Sequence, residues 1–202
     1  MSSQSEGRPS EARSRLLNTA TRLFYGEGIH AVGIDRIVAE AQVTRATLYR
    51  HFPGKEDLVL AYLNEVDRAM RRQAEEAVAA GLPATDTIRA LSASIAQSIQ
   101  SPGFRGCAFL NAAAEYPDPD SPVHRAVLAH RQWFLDTVTE LLARIQETGA
   151  EPAARHFVMM RDGAMAAGCL FDPALICETF LRGVERLLQV YAATDYSGPA
   201  GA

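Results

Sequence analysis

The sequence predicts an all-α fold of about nine helices, with an N-terminal three-helix unit of helix-turn-helix type followed by a larger helical part. Three observations carry this. Apolar residues recur at the spacing of helix faces, and the period-two, β-branched alternation that strands need is missing. Clusters such as Gly81-Leu82-Pro83, Ser101-Pro102-Gly103 and Tyr116-Pro117-Asp118-Pro119 punctuate that periodicity. Residues 33–55 read as two short helices joined by a tight turn.

Residues 1–9 are polar and are expected to form a disordered tail. The first helix is predicted from about Ser10 to Tyr25, with Leu16, Leu17, Ala20, Leu23 and Phe24 on one face and Gly26 and Gly28 ending it. In the second, Ile34, Ile37, Val38 and Ala41 share a buried face, while Asp35, Arg36 and Glu40 point outward. The third is capped by Thr44, whose hydroxyl can accept an orphan backbone N–H, and is stopped by Pro53-Gly54. Leu48 and Phe52 lie four apart and fall inward, leaving Arg45, Ala46, Thr47, Tyr49, Arg50 and His51 around the rest of the circumference.

A long fourth helix is expected from Lys55 towards Ala80. Thr85 is read as the cap of a fifth helix carrying Ile88, Leu91, Ile95 and Ile99, and a short segment spans Cys107 to Glu115. A long apolar helix is expected from Val123 to Thr148, then helices from Pro152 to Gly168 and from Ala174 to Tyr191. Residues 10–54 form one expected domain, 55–195 a second that Lys55 opens, and 196–202 a disordered tail.

A chain of 202 residues is large enough for a substantial core. No apolar run approaches the ~18 residues of a membrane span, and the N-terminus lacks a signal-peptide core, so a cytoplasmic protein is expected. Cys107, Cys169 and Cys177 are odd in number and lack CxxC spacing, which points to neither a disulfide framework nor a zinc knuckle. The net charge of −4 is uneven: residues 1–57 hold eight Lys/Arg against seven Asp/Glu, and 58–202 hold twelve against seventeen. Any phosphate binding would therefore depend on a few placed cations and helix N-termini.

The stretch Val43-Thr44-Arg45-Ala46-Thr47-Leu48-Tyr49-Arg50-His51-Phe52, followed by Pro53-Gly54-Lys55-Glu56-Asp57-Leu58, resembles the DNA-binding domain of the Tet repressor (TetR) family, and the likeness runs over about Ser10 to Leu63. Two positions depart from the family pattern: Gln42 stands where Gly is usual in the turn, and Gly33 where Ser or Thr often caps the second helix. The resemblance implies a homodimeric transcriptional regulator, a repressor by family default, that binds double-stranded operator DNA and responds to a small-molecule effector. It makes Arg45 and Thr47 base or near-base contacts, puts Ala46 near a thymine methyl, and gives Tyr49, His51 and Lys55 to phosphates. Thr44 suits both tasks, and Arg50 matches a more variable position.

In the second part, His130 lies at the centre of a face with Val127, Trp133, Phe134, Thr137 and Leu141. It is either a hydrogen-bonded core histidine or the polar anchor of an effector cavity walled by Phe109, Trp133 and Phe134, and Asn111 poses the same choice. No cofactor or metal is expected: His124 and His130 are six apart, about 120° around a helix, where an i,i+4 ligand pair would share a face. The G-x-S-x-G, P-loop and dinucleotide motifs are absent, so an enzyme is not expected. Ile176, Cys177, Phe180, Leu181, Val184, Leu187, Leu188 and Tyr191 make a wide apolar face, and Met160, Gly163, Ala164 and Ala167 a stripe of small residues and one Met. These are read as intrachain core or, by the resemblance, as a dimeric four-helix bundle. Two rival readings remain: a regulator switched by oxidation of one of the cysteines or working without ligand, and an enzyme or sequestering protein.

Overall fold

The computed structural model describes residues 10–193; both expected tails, 1–9 and 196–202, lie outside the described residues. Among the described residues there are nine helices and no strand. They are α1 (Glu11–Glu27), α2 (Ile34–Glu40), α3 (Arg45–His51), α4 (Lys55–Ala79), α5 (Ala84–Ile99), α6 (Ala108–Glu115), α7 (Pro122–Ala143), α8 (Ala150–Ala167) and α9 (Pro173–Ala193).

The first three helices pack on one another around Leu16, Leu23, Val32, Ile37 and Leu48, all fully buried. Each such side chain contributes about 1.5–3 kcal/mol of transfer free energy, enough to fix helices too short to stand alone. Ser10 caps α1 by accepting the Arg13 N–H at 3.3 Å, and the helix runs through Gly26 before Gly28, at φ 96°, ends it. The α2–α3 turn closes with Val43 N–H donating to the Val38 carbonyl at 3.1 Å and Gln42 N–H to that of Ala39 at 3.2 Å. That pairing requires a left-handed residue after the cap, and Gln42 supplies it at φ 53°, the one positive-φ non-glycine among the described residues.

Helix α4 packs on α1 through Leu58, Val59, Tyr62 and Leu63 and continues against α5, α6 and α7. Helices α5, α7, α8 and α9 pack together, and α6 lies against α7 and α4. Besides the end of α1, boundaries of three later helices differ notably from the sequence reading. Helix α5 begins at Ala84 with Pro83 at its cap, so Thr85 is inside the first turn, and Thr87 instead donates its hydroxyl to the Pro83 carbonyl at 3.2 Å. Helix α7 stops at Ala143, because Ile145 and Gln146 both turn their N–H groups to the Leu142 carbonyl and the Tyr191 hydroxyl donates to the Gln146 carbonyl. Helix α8 starts at Ala150, before Pro152, which sits in the first turn where a missing N–H leaves no bond unmade.

The wide face of α9 is mostly intrachain core. Phe180, Val184, Leu188 and Tyr191 of α9 and Ala164 of α8 are buried within the single chain, with Phe180 edge-on to Phe157 at 6.1 Å between centroids. Met160, Ala167, Ile176 and Leu187 are half-buried, and Gly163 is exposed. The apolar residues that α8, α9 and their junction leave exposed are others: Met159, Leu170, Phe171, Leu175 and Val190.

His130 joins α7 to α4. Its Nδ1 lies 2.7 Å from Asp67 Oδ1, and its ring stacks on Phe109 at 3.5 Å and 4°. Burial holds the imidazole below its ordinary range; Asp67 opposes this, and Arg161 and Arg131 add to it. Burial raises the Asp67 carboxyl, but Arg71 and His130 outweigh it and the net is downward. The pair is thus a neutral imidazole donating Nδ1–H to a carboxylate.

Two outcomes follow from these local features. Gln42→Gly should raise stability by up to about 1 kcal/mol in urea unfolding, since glycine removes the left-handed strain and gives part of the gain back in unfolded-state entropy; a fall would show that the Gln42 side chain matters more than its backbone. Because both folded-state pKa values of the His130–Asp67 pair are depressed, its contribution is complete above the unfolded histidine value of about 6.5 and is lost as pH falls. The urea midpoint should drop from pH 7 to pH 5, and His130→Gln should flatten that slope; an unchanged slope would assign the acid sensitivity elsewhere.

Candidate functional site

Helix α3 has seven residues, and only Leu48 among them is fully buried, with Phe52 sealing the end. Thr44 accepts the Thr47 N–H at 3.1 Å, and the two hydroxyls lie 2.9 Å apart at the helix N-terminus. Thr44, Arg45, Ala46, Tyr49 and Arg50 are exposed, and Thr47, His51 and Lys55 are half-exposed. All eight residues expected to meet DNA are therefore accessible on α3, its cap and the first residue of α4. Burial lowers the Lys55 ammonium from its usual value, against the pull of Glu115.

Three neighbours of this surface were not singled out from sequence. Asp35 on α2 accepts from Arg45 Nε at 2.6 Å and raises the guanidinium pKa. Ser10 Oγ lies 3.1 Å from His51 Nε2, tying the end of α3 to the cap of α1. The Arg13 guanidinium stands 5.0 Å over the Phe52 ring. Only the last had a sequence signal, a cation on the helix before the reader; the other two are contacts between residues ten and forty-one apart.

Behind the reader lies a cavity of about 520 Å³ between α1, α4, α5, α6, α7 and α8. Its wall includes Tyr62, Val66, Met70, Leu91, Ile95, Phe109, Trp133, Phe134 and Met165. Polar wall groups are mostly engaged. Gln73 donates to Ser94, Thr137 donates to the Trp133 carbonyl at 2.9 Å, and the Tyr25 hydroxyl donates to the Gly106 carbonyl and accepts from Arg105 N–H, both at 3.0 Å. Burial pushes the Tyr62 phenol well above its usual value, so it is a neutral group.

Phe109, Trp133 and Phe134 line this cavity, whereas Asn111 and His130 do not. Asn111 donates to the Arg105 carbonyl at 2.8 Å on the other side of α6, and His130 is covered by Phe109 and spent on Asp67. The buried charged group in the wall is Arg161 of α8, 3% exposed, which the sequence reading passed over although it lies four residues from both Phe157 and Met165 on their buried face. Cys107 is in the wall as well, Cys177 is buried with its thiol on the Ala96 carbonyl at 3.3 Å, and Cys169 is exposed. Among the described residues no group of three or more His, Cys, Asp or Glu is placed to hold a metal, and no helix is long and apolar enough to cross a membrane.

Helix α6, which lines the cavity through Ala108 and Phe109, reaches the reader through Glu115 at its end. Its carboxylate accepts the backbone N–H of Ile29 at 2.8 Å and of His30 at 2.5 Å, in the turn between α1 and α2. Tyr25, a cavity residue on α1, makes a second tie to the loop before α6.

Residues 16–62 match the model of the bacterial regulatory proteins of the tetR family. Over 81 residues the chain is 32% identical to the HTH-type transcriptional regulator LmrA of Bacillus subtilis, a match covering 40% of this chain and 43% of that protein. The chain thus spans less than half the length of this curated relative, whereas it is 24% identical over 159 residues to the regulator YjdC of Escherichia coli, covering 76% of this chain and 81% of YjdC. Among solved structures, a TetR-family regulator from Rhodobacter sphaeroides shares the fold at 21% identity and a TM-score of 0.78, over 88% of this chain and 99% of that one. SCO4454, a TetR-family transcriptional regulator from Streptomyces coelicolor, is 67% identical with a TM-score of 0.88, over 91% of this chain and 97% of that one. With identity at that level over nearly the whole of a solved relative, on the same nine-helix frame and with the reader motif intact, this chain belongs to the TetR family of DNA-binding transcriptional regulators.

Proposed function

We propose that the chain acts as a homodimeric repressor that holds a roughly palindromic operator and is released from it when a small molecule occupies the cavity behind the reader. The reader surface is the observation that carries this: a seven-residue helix, capped and stopped, with Arg45, Ala46, Thr47 and Tyr49 presented. So short a helix covers one half-site, and two copies related by a two-fold axis cover a palindrome. Occupancy by such a dimer excludes other proteins from the operator, which is the simplest route to repression.

The partner is a second copy of the chain, seated on α8 and α9. Support comes from the exposed Met159, Leu170, Phe171, Leu175 and Val190, grouped on these two helices and the turn between them. Residues 10–54 serve as the DNA-binding part and residues from Lys55 onward as the regulatory part, with α4 common to both. Release requires that the ligand bind the non-operator conformation more tightly, and operator must then weaken ligand binding by the same factor, typically about 5–150. Glu115 and Tyr25 are the polar contacts on which that coupling would act.

Selecting bound duplexes from random DNA tests the proposal and should return an inverted repeat. Arg45→Ala should then weaken the selected operator about ten- to a hundredfold per half-site and relax preference at one or two base pairs, since an Arg fork reads both guanine acceptors. Lys55→Ala should weaken all sequences alike and lower the salt slope by about one unit. Equal loss on operator and random DNA for Arg45→Ala would remove its base contact.

Met159→Glu and Leu175→Glu place a charge on the exposed apolar face without touching the monomer core. Both should sediment as monomers, melt near the wild-type temperature and lose operator binding. A wild-type chain that is monomeric at micromolar concentration yet holds a two-half-site operator would defeat the dimer.

A further inference from the structure

The cavity wall is apolar in all but a few places, and one of them is a buried cation whose partners do not use it up. Arg161 is 3% exposed, and its Nε carries a hydrogen with no acceptor, the one such buried side-chain atom among the described residues. Its Nη1 donates to Asp162 Oδ1 at 2.9 Å, and the Cys107 thiol lies against the guanidinium. Asp162 is not its own to keep, because Arg131 takes both oxygens of the same carboxylate in a fork, at 3.0 Å to Oδ1 and closer to Oδ2. One carboxylate shared by two guanidiniums leaves a formal positive charge unbalanced beside the cavity. The wall supplies no remedy, since it contains no Asp or Glu, and its other arginine, Arg22, is paired with Glu40.

A guanidinium cannot relieve burial by losing its proton, as a lysine or histidine can. Burial works against the charge, Cys107 and Asp162 work for it, and the net leaves the Arg161 pKa raised. A buried donor left unmade costs more than a made one gains, so the site favours an occupant that brings an acceptor, and above all one that brings a negative charge.

We infer that the cavity takes an amphipathic monoanion, a carboxylic acid with an aromatic or aliphatic body, whose carboxylate accepts from Arg161 while its body lies against Phe109, Trp133, Phe134 and Met70. A single orphan N–H and a single unbalanced charge match a carboxylate; a phosphate monoester, with about two charges and three acceptor oxygens, would leave most of its head unmet. The volume of about 520 Å³ falls within the range of small-molecule sites. The inference rests on the reading of this cavity as the effector site, but it can be tested without DNA.

Trp133 is the single tryptophan of the chain and lines the cavity, so its fluorescence reports occupancy directly. The probes are 1-naphthoate and decanoate, each against its uncharged primary amide, titrated into the full-length protein at pH 7. At least one acid should shift Trp133 emission saturably and bind about tenfold or more tighter than its amide, the size of one charge-assisted hydrogen bond. Arg161→Gln should abolish the preference for acid over amide, and Arg161→Lys should keep part of it. If the amides bind as well as the acids to the wild-type protein, or if neither acid binds, the inference is overturned, and this holds whether or not the Arg161 variants fold. A second measurement separates the two readings: acids that bind with the stated preference yet leave operator affinity unchanged would uphold the anion site and remove the effector role. Release of operator by the amide alone would do the reverse.

Discussion

The orientation of the reader on the rest of the molecule depends on one carboxylate. Glu115 closes α6 and reaches across to the turn between α1 and α2, where it takes the N–H groups of Ile29 and His30. Those two donors belong to a chain that has left one helix and not yet entered the next, so no helical carbonyl can serve them. A charged acceptor with two oxygens meets both, and such bonds are about twice as strong as neutral ones. The apolar packing of α1 on α4 sets the distance between the two parts, but it is non-directional and tolerates sliding. The carboxylate supplies the direction. With Tyr25 between Gly106 and Arg105, it ties α6 and the loop before it to the end of α1 and the turn that follows.

Much of the reader was legible in the sequence because its signals are local. A threonine cap, a Leu48–Phe52 pair and a Pro-Gly stop fix the start, the buried face and the end of α3 within eleven residues, and Gln42 occupies the left-handed turn that the family pattern gives to glycine. The cavity was legible only in part. Periodicity puts His130 on the apolar face of α7 correctly, but it does not say what lies over that face, and the stacked Phe109 ring and Asp67 close it off. Arg161 was overlooked for the opposite reason: the charged pair Arg161-Asp162 followed by Gly163 reads as surface, and spacing from Phe157 and Met165 does not by itself show that the face is covered. The broad face of α9 is divided between fully buried and half-buried residues by neighbours far away in sequence, so the two could not be told apart by spacing. The helix ends that shifted, at α5, α7 and α8, are those where turn hydrogen bonds or a proline in the first turn decide the boundary.

The distribution of charge explains how a chain of net −4 presents a DNA surface. Its acids are largely occupied: Glu40 holds Arg22 and Arg36, Glu27 holds Arg36, and Glu115 is turned to the backbone. The cations of α3 are fewer but stand near two helix N-termini, at Thr44 and Gly54, whose free N–H groups add to the local positive potential. What the surface lacks in net charge it supplies by position.

The pair between Arg45 and Asp35 has a consequence for how the reader searches. Without DNA the guanidinium already has an acceptor, since Nε and Nη2 both converge on the same Asp35 oxygen. For the base contact proposed for Arg45, reaching out would therefore be an exchange, one acceptor given up for another, and a poorly matched base would return less than was surrendered. Under the base contact proposed for Arg45, the arginine would stay folded back on α2 at most sites, with phosphate contacts alone holding the protein to the duplex. Asp35 would then act as a decoy carried by the protein itself, suppressing pauses at near-matches and leaving the full site as the place where release from the carboxylate is worthwhile.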